Sequence, residues 1–405
     1  MQQSSYRLTL WLAGLAHAFS HMFVLFYATV VLALEREWGL GYAELFALSI
    51  PGAVLMGACA LPAGWLADRW SASGMLAVFF FGIGAASILT GLMDSPIGIA
   101  LGLALLGVFA SIYHPVGIPW LIAQAPNRGR ALGINGVFGS AGTAGAALVA
   151  GFLAQSLGWR AAFVVPGVAA LAAGLLFLWA WRGGRLAEAA VAVADTPGRF
   201  SSDGLRVFTV LALTVTCTGL VYQSMAYALP KLFDERLQGV LGGSVLGIGG
   251  AVSLCYLLSA GAQLVGGELA DRYPLKWVYL GCQVALAPFC VLGFALFGAA
   301  LLPIAAVVVS LNVMGQPAEN SLLARHTPER WRGKVFGAKF VLTLGVSSLG
   351  VALVPIIHAG LGQIGPILLV LAAVAVVSAA AAGFLPRSGR RSGPAGRLAT
   401  AGTGD

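Results

Sequence analysis

From Leu8 to Leu34 the chain carries no Asp, Glu, Lys or Arg, and runs of this kind recur along almost its whole length. A helix rises 1.5 Å per residue, so about 20 such residues cross a hydrocarbon layer of roughly 30 Å. Only 9% of the residues are charged and 59% are hydrophobic, with a mean hydropathy of +0.89. A soluble domain carries about 25% charged residues, so water cannot cover this surface. The expected class is an all-α integral membrane protein. The first run is too long for a signal-peptide core and lacks a clear cleavage site, so it is expected to stay as a helix.

Twelve spans are expected, near 8–34, 43–67, 73–93, 96–123, 130–156, 159–182, 205–235, 243–270, 275–297, 300–325, 334–358 and 363–385. The polar connector 183–204 divides an N-terminal six-helix bundle (1–182) from a C-terminal one (205–386). The Gly-, Ser- and Arg-rich tail 387–405 is expected to be disordered and basic. Of the 23 Lys and Arg residues, eighteen fall on the side of the termini. Arg36, Arg160, Lys231 and Arg236 fall on the other side, and Lys339 lies inside a span. Cationic loops stay in the cytoplasm, so both termini are expected there, in an inner (plasma) membrane. The net charge of +8 thus reports topology and not nucleic-acid binding. The five cysteines all fall within apolar runs, at no metal-ligand spacing.

The halves repeat one another. Gly64 to Arg69 reads GWLADR and Gly266 to Arg272 reads GGELADR, with Asp68 and Asp271 in the same place. Arg128-Gly129-Arg130 has a counterpart in Arg332-Gly333-Lys334, and His114-Pro115 in Gln316-Pro317. Acid and base beside small residues at a span exit suit a loop that braces a neighbouring helix end. Gly64, Asp68, Arg69, Gly267, Asp271 and Arg272 are the expected gating loops.

With twelve spans, a six-plus-six duplication and a G-x-L-A-D-R loop after spans two and eight, the chain resembles the major facilitator superfamily over its whole length. Its first half is similar to the fosmidomycin-resistance branch in His17, in Tyr113-His114-Pro115 and in the Gly-rich span five. The resemblance implies two six-helix pseudo-repeats and alternating access. Two departures are present. Span four has no arginine, and span five reads GVFGSAGTAG without the Gly-Pro typical of drug antiporters.

Ionisable groups within spans are functional candidates, because a charge at the bilayer centre costs about 2.5–3.5 kcal/mol on insertion scales. His17 and His21 are four apart and share a helix face, with His17 about 14 Å beyond Leu8. His114 lies in span four, where Pro115 and Pro119 should loosen the helix toward a cavity. A cavity role and neutral interhelical hydrogen bonding are both open for these imidazoles. Glu319 and Lys339 are placed to form a buried ion pair. Tyr27, Tyr113, Asn135, Tyr222, Gln223, Tyr227 and Gln316 complete the expected substrate and proton cavity.

No nucleotide-binding loop or hydrolytic triad is present, so neither an enzyme nor an ATP-driven pump is expected. The expected function is secondary active transport of a small polar or amphipathic molecule, with export favoured by the branch resemblance. The expected coupling ion is a proton, since histidines dominate the buried ionisable groups. The partners are that substrate, the proton and the bilayer. The protein is expected to act as a monomer, with no cofactor, no bound metal and no nucleic acid. Two alternatives stand beside this. One is a copper-like transition-metal importer using His17, His21, Met22, Met56 and Cys59 as soft or borderline ligands. The other is a non-transporting receptor or assembly scaffold.

Overall fold

The computed structural model describes residues 2–186, 202–328, 335, 338–339, 341–346 and 349–386. Most of the expected linker, the tail 387–405 and the Arg332-Gly333-Lys334 repeat lie outside these residues. The described residues form helices joined by short turns, with no strand among them.

Among the described residues, nine helices are long and apolar enough to cross a membrane: Ser5–Trp38, Ala72–Gly91, Pro96–Gln124, Arg130–Leu157, Trp159–Arg182, Asp203–Arg236, Val245–Arg272, Leu275–Ala295 and Gly298–His326. A further crossing, at span two, is the pair Tyr42–Ala58 and Ala60–Arg69, bent by 40°. The shorter apolar helices Leu349–Leu361 and Ile367–Gly383 stand where spans eleven and twelve are expected.

The packing repeats with the sequence. In the first half, span one lies on five, two on four and three on six. In the second, seven lies on eleven, eight on ten and nine on twelve. The halves meet where span five lies on eight and span two on eleven. These seams are built from small residues. A Cβ on Gly151 would collide with the Val245 backbone, one on Gly249 with that of Ala147, and one on Gly57 with that of Gly345. Hydrocarbon gives helices no reason to hide apolar side chains from each other, so backbone proximity supplies the contact.

Side-chain bonds tie each chain end to the end of another span. The Ser5 hydroxyl donates to the Arg185 carbonyl (2.6 Å), and Lys276 donates to the carbonyls of Gly383 (2.7 Å) and Leu385 (2.6 Å). The four cations of the opposite face are all engaged. Arg160 donates to the carbonyls of Gly91 and Met93 and pairs with Asp94. Its counterpart Arg236 donates to the carbonyls of Gly293, Phe294 and Leu296. Both satisfy carbonyls that the ends of spans three and nine leave open. Arg36 and Lys231 join the halves, as described below.

The seam yields a controlled test. Gly249→Ala places a methyl against the Ala147 carbonyl, whereas Gly250→Ala places one in open space. Overpacking of this kind costs about 1–3 kcal/mol. The expected result is a lower thermal midpoint for Gly249→Ala in detergent and an unchanged one for Gly250→Ala. Equal midpoints would show that the seam is not close-packed.

Candidate functional site

Span four explains the site's position. Pro119 has no N–H to donate to the turn before it, and Pro115 likewise. The helix therefore ends at Ala110, passes through a wide π-turn at Tyr113–Gly117 and resumes at Ile118–Gln124. Span ten breaks at the matching place, between Met314 and Gln316. The duplicated loop helices pass close to these breaks. Gly64 approaches the Pro115 ring, and a Cβ on Gly266 would strike the Met314 backbone. Glycine at 266 admits the neighbouring backbone where a larger residue would not.

The π-turn delivers His114 beside His17 and His21 of span one. The three rings pack pairwise, with centroids 4.9 Å apart for His17–His21 and 5.4 Å for each contact with His114. One nitrogen from each lies within 4.8 Å of the others. His17 Nδ1 donates to the backbone carbonyl of Asn135 in span five (2.8 Å). His17 Nε2 then faces inward with its lone pair and accepts from His21 Nε2 (3.2 Å). Tyr113 stacks on His17 at 4.9 Å and donates its hydroxyl to Asn135 Oδ1 (2.7 Å). Gly139 gives the His17 ring its space. His17 and His114 are under a tenth exposed, while His21 is half-buried.

Across the seam, Tyr222 bonds Thr143 of span five (3.3 Å), and Tyr227 donates to the Val24 carbonyl of span one (2.9 Å). Tyr27 stays within its own half, donating to the Leu45 carbonyl (2.7 Å). Tyr27 and Tyr227 line a cavity of about 20 Å³ with Phe23, Val24, Ser49 and Gly52, room for about one water. Gln223 is buried in span seven.

The second half has a different centre. Lys339 pairs with Glu319 at 2.7 Å and also contacts Asn320 Oδ1, as the sequence led one to expect of a buried pair. Tyr279 donates to Glu319 Oε2 (3.1 Å). Gln316 accepts from Gln263 (3.1 Å), tying span ten to eight. At the loops, Asp68, Arg69, Asp271 and Arg272 are exposed. Arg69 lies over the Trp65 ring at 4.2 Å, and Arg272 pairs with Glu268 on its own helix.

One charged network escaped the sequence reading. On the face opposite the termini, Arg36 pairs with Asp234 (2.8 Å) and donates to the Gly243 carbonyl (2.6 Å). Lys231 pairs with Glu35 (2.7 Å) and stands over the Tyr42 ring at 4.7 Å. His358 lies 3.3 Å from Glu235 and 4.9 Å from the Tyr42 ring. The Arg36 and Lys231 pairs join the two halves at that face. A signal was available, since Glu35-Arg36-Glu37 ends span one where Asp234-Glu235-Arg236 ends span seven.

Two pseudo-symmetric bundles of apolar helices, with a polar centre in each, are the architecture of a membrane transporter. A profile of the Major Facilitator Superfamily matches residues 10–254 and 211–401, and the chain belongs to that superfamily. It is 26% identical over 364 residues to the puromycin resistance protein pur8 of Streptomyces alboniger, across 82% of this chain and 68% of that protein. It is 29% identical over 152 residues to the methylenomycin A resistance protein of Bacillus subtilis (strain 168), across 37% of this chain and 32% of that one. In fold it is similar to a D-xylose-proton symporter, with a TM-score of 0.77 at 15% identity over 96% of this chain and 99% of the other. It is also similar to a bacterial homolog of the human lysosomal transporter Spinster in an inward-facing, unoccupied conformation. That TM-score is 0.72 at 16% identity, over 94% and 95% of the two chains. Membership sets the protein among membrane transporters and apart from enzymes.

Lys231 tests the closure, being the cation held between Glu35 and Asp234. Lys231→Met leaves their carboxylates facing each other across the seam. In a background without the native cysteines, a cysteine at the buried Ser49 should be labelled several-fold faster by an impermeant thiol reagent. Lys231→Arg should restore slow labelling. Equal rates in all three would remove these pairs from the gate.

Proposed function

We propose that the protein is a monomeric, proton-coupled exporter of a small amphipathic molecule in the inner membrane, with both termini in the cytoplasm. The observation that carries this reading is the seam. Two repeated halves touch along small residues that permit sliding, and ion pairs hold one face shut. Residues 1–182 and 205–386 are the moving bodies, and the charge asymmetry of the loops sets the termini face in the cytoplasm. The closed face is then the outer one, so the conformation described here opens inward.

Export of an organic molecule follows the two resistance proteins among the relatives, and the aromatic seam of Tyr222 and Tyr227 suits such a ligand. The coupling proton is assigned to Glu319. A proton there cancels the attraction of Lys339 and frees span eleven from ten, which couples protonation to helix movement. The histidines, expected from sequence to carry it, are less suited. A proton on His17 Nε2 would require His21 to change tautomer so that its own Nε2 accepts, and would place the charge among neutral rings and not beside an opposite charge.

In proteoliposomes with an imposed pH gradient, puromycin serves as the probe. Glu319→Gln should abolish gradient-driven accumulation and retain exchange at equal pH. If that variant does not purify as a monodisperse protein, Glu319→Gln with Lys339→Met removes both charges together. Gradient-driven accumulation at the wild-type level in a folded variant would overturn the coupling assignment.

Asp68 is exposed here and is assigned to brace the loop in the opposite conformation. Asp68→Asn should lower turnover at least tenfold with insertion unchanged. Asp271→Asn should be milder, because Arg272 already pairs with Glu268. Full turnover in Asp68→Asn at equal expression would sink this role.

A further inference from the structure

The hydrogen bond from His21 Nε2 to His17 Nε2 already spaces these two nitrogens as a metal ion would, and moving the His21 proton to Nδ1 frees both lone pairs for one ion. A tetrahedral zinc ion holds imidazole nitrogens at about 2.0–2.1 Å, which sets neighbouring donors roughly 3.3 Å apart. His17 Nε2 and His21 Nε2 stand at 3.2 Å, and the third donor, from His114, lies within 4.8 Å of both. Turning the His114 ring inward to the same spacing completes three corners of a tetrahedron, and the π-turn that carries it is not locked into a regular α-helical ladder.

The surroundings support ligation. Metal-binding histidines donate their second nitrogen to a carbonyl or carboxylate, which fixes the tautomer and aims the free lone pair. His17 does this through Nδ1 to the Asn135 carbonyl, so its Nε2 lone pair points into the cluster. The stack against Tyr113, itself tied to Asn135 Oδ1, holds the ring plane. Three neutral imidazoles suit a borderline divalent ion such as zinc, cobalt or nickel, and are a poor set for calcium or magnesium. The ligand group does not include Cys59, which the alternative sequence reading had placed with His17 and His21.

We propose that His17, His21 and His114 form a three-imidazole binding site for a divalent transition-metal ion of the zinc class, with the fourth position open. The half-buried His21 is its entrance, and the ion links span one to span four. This goes beyond the transport reading and does not draw on the direction, the organic substrate or the coupling proton.

The test uses the full-length protein purified in detergent without a histidine tag and stripped with a chelator. Co²⁺ is the spectroscopic probe and Zn²⁺ the competitor. The expected result is one Co²⁺ bound per chain, with the visible absorption of a tetrahedral nitrogen-ligated ion, displaced by one equivalent of Zn²⁺. Zn²⁺ should also raise the thermal midpoint. His17→Gln, His21→Gln and His114→Gln should each weaken binding at least tenfold, while His326→Gln, a histidine bonded to its own helix at Leu322, should not. If a single variant aggregates, the other two still report on the site, since each removes one ligand. Absence of the tetrahedral spectrum, or its persistence in the triple variant, would overturn the site and leave the imidazoles as a packing cluster. The proteoliposome assay with puromycin is scored separately, so failure of the metal site and failure of the transport reading give different results.

Discussion

In hydrocarbon, helices associate through how closely their backbones meet. That constraint governs the seam between the two halves. Gly57, Gly151 and Gly249 each bring one half's backbone against the other's, leaving little side-chain relief to interlock. Surfaces that smooth can shift without unpacking a core. The polar contacts joining the halves lie in the ion pairs of one face, in the hydroxyls of Tyr222 and Tyr227, and on the five–eight seam itself, where Ser253 donates to the Ala144 carbonyl and Gln155 accepts from Ser244 and Leu246.

The same repeat has been put to different chemical use in its two halves. Both fourth helices of the repeat, spans four and ten, break at a proline where the loop-bearing helix passes close by. In the first half the break presents His114 to two more imidazoles. In the second, the residues just beyond it carry Glu319 to Lys339 and Tyr279. One centre is a set of neutral ligands and the other a compensated pair of charges. Symmetry of backbone with asymmetry of side chains places two chemically different polar centres on one scaffold.

Much of this was legible in the sequence, for identifiable reasons. Span positions follow from charge exclusion, which the bilayer enforces almost residue by residue. The pairing of Glu319 with Lys339 was legible because two opposite charges at similar depth have few other ways to be satisfied. The convergence of His17 and His21 followed from helix periodicity. That His114 completes the cluster did not, because a π-turn shifts the angular register of every residue within it. The roles of Arg36, Arg160, Lys231 and Arg236 were also hidden. Counted as topology signals, they read as loose surface charge, yet each is tied to a helix end or to the other half. Sequence spacing says which face a charge lies on and not which neighbour it reaches.

The closure by Arg36 and Asp234 is partly open to water, with the arginine side chain 46% exposed, whereas Lys231 is only 8% exposed. Pairs of the first kind weaken as dissolved ions screen them, over a Debye length of about 8 Å at physiological ionic strength and about 3 Å at 1 M. Pairs of the second kind hardly respond. A face fastened by one screened and one sheltered contact therefore feels added salt mainly through Arg36, while the Lys231 pair keeps its strength.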